Sequence, residues 1–124
     1  MSFLYKFRLF DRRKAKRYEV FPPIKCTCSS KDLGYEGFLS YILVVSKIGL
    51  LFSIDKFQFP KGCSVQIQFM LPDNKEIFSI NGIIVRTQMI NMQGKFINAI
   101  KFKDDPNTAK AVDKLIHFCR KKLI

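Results

Sequence analysis

The sequence has few of the residues that catalytic and metal centres need. It contains one histidine, His117, and 10 acidic residues against 22 basic ones in 124 residues. A Ser-His-Asp triad needs a histidine beside a serine and a carboxylate, but His117 lies in a C-terminal segment with helical spacing. A zinc site needs four well-placed ligands, and the GxxxxGK[ST] phosphate loop is absent. We therefore expect neither an enzyme nor a metal protein.

Long apolar runs are also missing. A transmembrane helix needs roughly 20 consecutive apolar residues, and no stretch approaches that length. Within residues 1–10, Lys6 and Arg8 interrupt the apolar residues, so no secretory signal is expected. Without such a signal, the four cysteines are expected to be reduced thiols of a cytoplasmic protein. Cys26 and Cys28 are two residues apart, which would place them on one face of a strand, in the core.

Positive charge is in excess and unevenly distributed. The formal net charge is +12, and residues 1–17, with seven cations and one acid, carry +6 of it. Such a field attracts nucleotides, polyanions and anionic lipids. We predict a basic arm over residues 1–17, followed by a folded domain over residues 18–124. Phe3, Phe7 and Phe10 have helical spacing, which fits either docking onto the domain or an anchor that binds a partner or a membrane surface without a spanning segment.

The folded part has the pattern of short strands followed by a helix. Pro22-Pro23 interrupts regular pairing, Gly49 allows a tight turn with positive φ, and Asn81-Gly82 predicts a bulge. Asp104-Asp105-Pro106 predicts a helix start, followed by an apolar stripe of Ala109, Val112, Ile116, Cys119 and Leu123. The strands are expected over residues 24–29, 38–45, 50–54, 63–71, 76–89 and 95–103. This order predicts a mainly β protein, a six-stranded antiparallel barrel with a C-terminal helix over one open end.

The arginines of the arm are spaced for ligand binding. Arg13 and Arg17 are four residues apart, with Arg12 directly before the pair, so two guanidiniums can converge in a turn or on one helical face. Guanidinium groups pair with phosphate oxygens and the guanine edge, and they stack on purine rings. The same pattern is also typical of a solvated charge run, so the arginines alone leave both interpretations open.

A second motif makes the binding interpretation more specific. Arg12-Arg13-x-x-x-Arg17, followed by Ser46-x-x-Gly49 at a strand–turn–strand corner, resembles the PilZ domain family, whose two motifs are RxxxR and [D/N]xSxxG. The resemblance covers roughly residues 12–124. Further stretches that share it are Tyr18-Glu19-Val20, Gly49-Leu50-Leu51-Phe52, Gly82-Ile83-Ile84-Val85-Arg86 and Asn98-Ala99-Ile100-Lys101-Phe102. It implies a PilZ-type six-stranded barrel that binds bacterial cyclic di-GMP, needs no cofactor and relays the signal to a protein effector.

The resemblance also implies roles for single residues. Arg13 and Arg17 would contact guanine bases and phosphates, Ser46 would contact a phosphate or a base, and Gly49 would permit the turn. Arg12 occupies a place that accompanies an intercalated pair of ligands in the family, which implies two molecules per domain. Val44 departs from the motif, because valine replaces Asp or Asn and cannot hydrogen-bond guanine. A lost hydrogen bond of this kind costs about 1–3 kcal/mol.

The sequence is therefore compatible with three candidate functions. The first is a cyclic di-GMP receptor that uses the arginines and the Ser46–Gly49 turn. The second is a PilZ-like interaction module that has lost its ligand through Val44. The third is a small basic barrel that binds single-stranded nucleic acid, which the sequence favours least because the cations concentrate in the arm.

Overall fold

Six antiparallel strands form a closed barrel and one helix follows them, which confirms the predicted mainly β fold. The structure is a computed structural model, and it describes residues 15–55, 57–73, 75–92 and 94–121. The elements are β1 (Tyr18–Ser30), β2 (Tyr35–Val45), β3 (Gly49–Asp55), β4 (Ser64–Met70), β5 (Ile77–Met89), β6 (Lys95–Phe102) and α1 (Pro106–Lys121).

The barrel consists of two three-stranded meanders joined along two seams. The strand order around the ring is β1-β2-β3-β6-β5-β4. One seam, between β3 and β6, has seven residue pairs, from Gly49–Lys101 to Asp55–Lys95. The other, between β1 and β4, has four pairs, from Cys26–Phe69 to Ser29–Gln66. Barrel closure removes exposed strand edges, and the β1–β4 seam is the shorter of the two closures.

The core follows the two-residue alternation of the strands. In β4, Val65, Ile67 and Phe69 are buried, and Cys26 and Cys28 of β1 are buried as predicted. Because β3 and β4 lie on opposite sides of the ring, the connection between them crosses one end of the barrel. This connection contributes Phe59, which is fully buried and packs edge-to-face against Phe52 at 6.2 Å. The core is thus filled largely by phenylalanine and aliphatic side chains.

The prediction that β1 begins at Ile24 is wrong, because the strand begins at Tyr18. Tyr18 and Glu19 pair with β2, a register shift follows, and pairing resumes at Ile24. The two prolines lie inside this shift, where no ladder hydrogen bond is required of them. The chain therefore remains extended through the prolines without regular pairing.

The bulge predicted at Asn81-Gly82 is also misplaced. Gly82 pairs regularly with Val65 and Phe102, and the register shift of β5 lies between Ile84 and Arg86. A Cβ at Gly82 would lie 2.8 Å from both Ile100 Cδ1 and the Lys101 carbonyl oxygen. Glycine is therefore required at this position by close packing of β6 and not by a bulge.

The helix begins as predicted, although its buried face differs from the predicted stripe. Pro106 is the first helical residue, and an Asp105 carboxylate oxygen accepts a hydrogen bond from the N–H of Thr108 at 2.8 Å. Ala109 is exposed, contrary to the prediction, and Leu123 lies outside the described residues. The buried residues are Thr108, Ala111, Val112, Leu115, Ile116, Phe118 and Cys119. They share one core with the barrel interior.

Two further properties of the described residues bear on function. His117 is exposed, as expected for a residue off the apolar stripe. Within the part of the chain that the structure describes, no helix is long and apolar enough to cross a membrane.

Candidate functional site

The turn between β2 and β3 is built around the hydroxyl group of Ser46. The Ser46 N–H donates to the Gly49 carbonyl at 2.9 Å. The Ser46 Oγ accepts from the N–H groups of Ile48 at 3.1 Å and Gly49 at 3.2 Å, and donates to the Gly49 carbonyl at 3.3 Å. Ser46 is fully buried. Its hydroxyl therefore stabilises the turn, and a direct contact between Ser46 and a ligand stays a prediction.

Gly49 takes part in the turn without a left-handed conformation. It is buried at the start of β3 and pairs with Lys101 of β6. The glycines with positive φ in the described chain are Gly34, Gly37, Gly62 and Gly94. The predicted positive φ at Gly49 is therefore wrong. In an antiparallel pair, a side chain at Gly49 would lie on the same face as the exposed Lys101.

The strand register brings one arginine of the first motif beside this turn. Tyr18 pairs with Val45, so the preceding Arg17 lies next to Ser46 along the β1–β2 edge. Arg17 is half-buried. The Lys16 ammonium lies 5.3 Å from the centroid of the Tyr18 ring, a cation–π distance. The other two predicted site residues, Arg12 and Arg13, lie outside the described residues.

A row of outward-facing residues leads away from the turn across the barrel wall. Val44 of β2 pairs with Leu51 of β3, Leu51 with Ala99 of β6, and Ala99 with Arg86 of β5. These residues alternate with interior positions, so all four belong to the outer face. The outer face beside the turn is thus apolar at its centre, with a cation, Arg86, at its far end.

The apolar centre of this row is a small second core. Val44, Leu51, Ile97 and Ala99 form a buried cluster separate from the barrel interior, and Val44 is only 5% exposed. Leu43 and Val85, which pack against the cluster, each lie within a register shift, in β2 and β5 respectively. The two irregularities therefore add aliphatic side chains to this face. Val44, the departure from the second motif, is held by apolar packing.

Two cations on the outer face were not predicted as site residues. Lys101 lies opposite Gly49, and Arg86 lies opposite Ala99. Both occur in stretches that share the family resemblance, but their positions on this face depend on strand pairing across β3, β6 and β5. Spacing along the sequence does not reveal which residues pair across these strands. The alternation with Ile100, which is buried, does predict that Lys101 faces outward.

The electrostatics of this region favour an anionic ligand. Arg17, Lys47, Lys101 and Arg86 surround the turn and the apolar row, while Glu19 is the acidic residue paired with Val44. Cations beside a turn suit an anionic molecule, because its charged oxygens can pair with them. Among the described residues, no group of three or more His, Cys, Asp or Glu side chains is placed to hold a metal ion.

Comparison with known proteins assigns this architecture to a family. The PilZ domain family matches residues 11–121. The chain therefore belongs to the PilZ domain family, as the two motifs predicted. A comparison with curated protein sequences found no match.

Solved structures with the same fold include complexes with a nucleotide. The chain resembles the PilZ domain with c-di-GMP of YcgR from Escherichia coli, with a TM-score of 0.66, 14% identity, and coverage of 91% of this chain and 95% of that one. It also resembles the K. pneumonia MrkH–c-di-GMP complex, with a TM-score of 0.69 and 14% identity. A third similar structure is the Bacillus subtilis inhibitor of motility, MotI/DgrA, with a TM-score of 0.65 and 16% identity. The alignment covers 92% of this chain in both cases, but only 55% of the MrkH chain and 52% of the MotI chain.

Proposed function

We propose that this protein is a bacterial, cytoplasmic receptor for cyclic di-GMP that acts on a protein partner and catalyses no reaction. The observation that carries the proposal is the Tyr18–Val45 pair, which places Arg17 of the first motif beside the Ser46–Gly49 turn of the second. Membership of the PilZ family supports it, as do similar structures described as complexes with c-di-GMP.

In this proposal the site residues have different tasks. Arg13 and Arg17 pair with phosphate oxygens and the guanine edge, and Arg12 adds a third guanidinium for a second ligand molecule. Charge-assisted contacts of this kind are about twice as strong as neutral hydrogen bonds. Ser46 and Gly49 hold the turn against which the ligand is bound, and Lys101 adds positive charge beside it. These contributions offset the hydrogen bond that Val44 does not make.

The relay to a partner would use the basic arm, residues 1–17. Ligand binding would fix the arm against the Ser46–Gly49 turn and so change the surface that a partner contacts. The division between the arm and the barrel over residues 18–124 is part of this proposal.

Isothermal titration calorimetry with cyclic di-GMP tests the proposed receptor directly. The wild-type chain should bind, with a stoichiometry near two if Arg12 supports a second molecule. Replacing Arg17 with alanine should weaken binding by at least about tenfold, since a charge-assisted hydrogen bond contributes about 1.5–3 kcal/mol. Arg120→Ala is the matched control, because Arg120 is an exposed arginine near the end of α1. Absence of binding, or equal affinities for the two variants, would contradict the proposal.

A second candidate function is favoured by the buried position of Val44. In this alternative the chain is an interaction module that binds its partner without a nucleotide. It predicts that cyclic di-GMP leaves the melting temperature unchanged, and that Val44→Asn creates a ligand-induced shift. Tight binding by the wild-type chain would exclude this alternative.

The third candidate, a barrel that binds single-stranded nucleic acid, makes a different prediction. A fluorescein-labelled oligonucleotide should then bind with strong salt dependence and should not be displaced by cyclic di-GMP. Displacement by the dinucleotide at low concentration would instead support the receptor proposal.

A further inference from the structure

A groove opens where the shorter seam of the barrel ends. The last pair of the β1–β4 ladder in this direction is Cys26–Phe69. Beyond it, a groove of about 400 Å³ lies between residues 22–25 and residues 70–72, with Phe118 of α1 also lining it. Pro22, Pro23 and Pro72 have no N–H to donate, so no ladder can form at the far end of the groove, beyond Ile24 and Leu71.

The walls of this groove are apolar, with the prolines and Met70 exposed and with Leu71 and Phe118 buried. Proline rings line both sides, and Met70, Leu71 and Phe118 supply larger apolar side chains. Met70 is 52% exposed although it ends a core-forming strand. The volume falls in the range of sites that hold a ligand or a few side chains. Phe118 and Leu71 also line a neighbouring cavity of about 230 Å³, and we refer to the groove and this cavity together as the depression.

The rim of the depression is strongly basic. Lys25 and Lys75 line the groove, and Lys114 and Lys121 of α1 line the neighbouring cavity. Asp73 is the acidic residue among those lining either part. Exposed cations around an apolar depression attract an acidic partner and fix its orientation.

From this combination we infer that the depression between β1, the β4–β5 turn and the C-terminal half of α1 binds an acidic peptide segment of a protein partner through a large apolar side chain. A bulky side chain of the segment enters the groove beside Phe118, and flanking Asp or Glu residues pair with the lysines. A concave site favours a protruding side chain over the flat surface of a bilayer. This inference rests on the proposed receptor function, because the depression would supply the contact between the receptor and its partner.

The position of the groove connects it to the candidate site. β1 begins at Tyr18, beside the Ser46–Gly49 turn, and reaches Pro22 and Pro23 four and five residues later. One segment of β1 therefore borders both the candidate site and the groove. The unpaired part of β1 lies between the two sites, where regular β2 pairing is interrupted.

A phage library of random dodecapeptides, selected against the whole immobilised chain, tests the inference without knowledge of the partner. Selected peptides should carry a large apolar residue flanked by Asp or Glu. A fluorescein-labelled peptide from the selection is then measured by anisotropy against the Met70→Asp/Lys75→Glu/Lys121→Glu variant. We expect its Kd to rise at least about tenfold, a loss of about 1.4 kcal/mol.

The matched control is Leu39→Asp/Lys31→Glu/Lys61→Glu, which makes the same charge change at exposed residues that do not line the depression. Its Kd should stay within about threefold of wild type. Peptides without acidic residues, or equal losses in both variants, would overturn the inference. So would anionic vesicles that sediment wild type and control but not the groove variant. Single Met70→Asp, at a half-exposed position, repeats the measurement if the triple variant unfolds.

Calorimetry with cyclic di-GMP on the same variants separates this inference from the proposed function. The groove variant should bind the dinucleotide with wild-type affinity, since its substitutions lie outside the candidate site. Loss of peptide binding with dinucleotide binding retained supports the inference. Peptide binding by a chain that binds no dinucleotide would contradict the receptor proposal and leave the groove assignment supported.

Discussion

Replacing Val44 with asparagine restores the missing polar residue of the second motif and should destabilise the chain when no ligand is bound. Val44 is 5% exposed within the outer apolar cluster. The change removes the burial of most of a valine side chain, about 1.5–3 kcal/mol, and leaves an amide that must find partners or lose about 1–3 kcal/mol. Partial relaxation offsets some of this loss, so we expect a decrease of about 2–4 kcal/mol in the free energy of unfolding.

Thermal unfolding followed by circular dichroism measures this effect. At about 4 °C per kcal/mol for a domain of this size, the melting temperature should fall by about 8–16 °C. Cyclic di-GMP at about 100 times its Kd should raise the free energy of unfolding by about 2.7 kcal/mol. The recovery should be larger in Val44→Asn than in wild type at equal ligand concentration, because the amide gains a guanine partner.

Val44→Ala is the control, since it removes apolar contacts without adding a polar group. The difference between the alanine and asparagine variants therefore isolates the amide. If the two variants have the same melting temperature without ligand, the side chain at position 44 reaches water and the packing argument fails. If asparagine gives no larger ligand shift than valine, residue 44 does not face the ligand.

Three further predictions concern the fold. Gly82→Ala should lower the free energy of unfolding by about 1–3 kcal/mol through overpacking, because the new Cβ would lie 2.8 Å from the Lys101 carbonyl oxygen. A decrease below about 0.5 kcal/mol in urea unfolding would contradict this. Asp105→Ala should cost about 1 kcal/mol at neutral pH through loss of the helix cap. Hydrogen bonds from the N–H and hydroxyl of Thr108 hold the pKa of Asp105 below its usual value of about 3.9. The stabilisation by Asp105 is therefore present above its usual pKa and is lost as the pH falls through the lower pKa of the folded state. In acid, wild type and Asp105→Ala should therefore have the same free energy of unfolding. Burial raises the pKa of Cys26 to about 12, so its reaction with a thiol reagent at neutral pH should require unfolding; labelling at the rate of a free thiol would refute its burial.

The order and type of the elements could be predicted from local pattern. Alternation in β4, turn residues between strands and the Asp105-Pro106 helix start depend on short-range preferences of the chain. Barrel closure with a helical cap followed from the number of strands and the need to bury the apolar face of α1. The family was predictable because its two motifs are short and have a definite order.

The details that define the site depended on contacts between distant residues. The register shifts at Leu43 and Val85 depend on packing between strands, and no local signal marked them. Gly82 looked like a bulge, although its cause is the approach of β6. Lys101 comes beside the turn, and Arg86 reaches the far end of the apolar row, only through pairing across three strands. The interruption of pairing at Pro22-Pro23 was predicted, but the start of β1 was misplaced because an extended chain was expected only where the ladder is regular.

The four-pair seam between β1 and β4 has a consequence for how the barrel opens. Amide protons of the meander β4–β5–β6 should exchange slowly, whereas those of the β1 segment before Cys26 should exchange early, through local opening that leaves the rest of the ring intact. The two meanders each form from contacts close in sequence, but both seams join residues about 40 or more positions apart. Such non-local closures are slow steps in folding. Opening that starts at this short seam therefore begins in the strand that connects the candidate site to the groove.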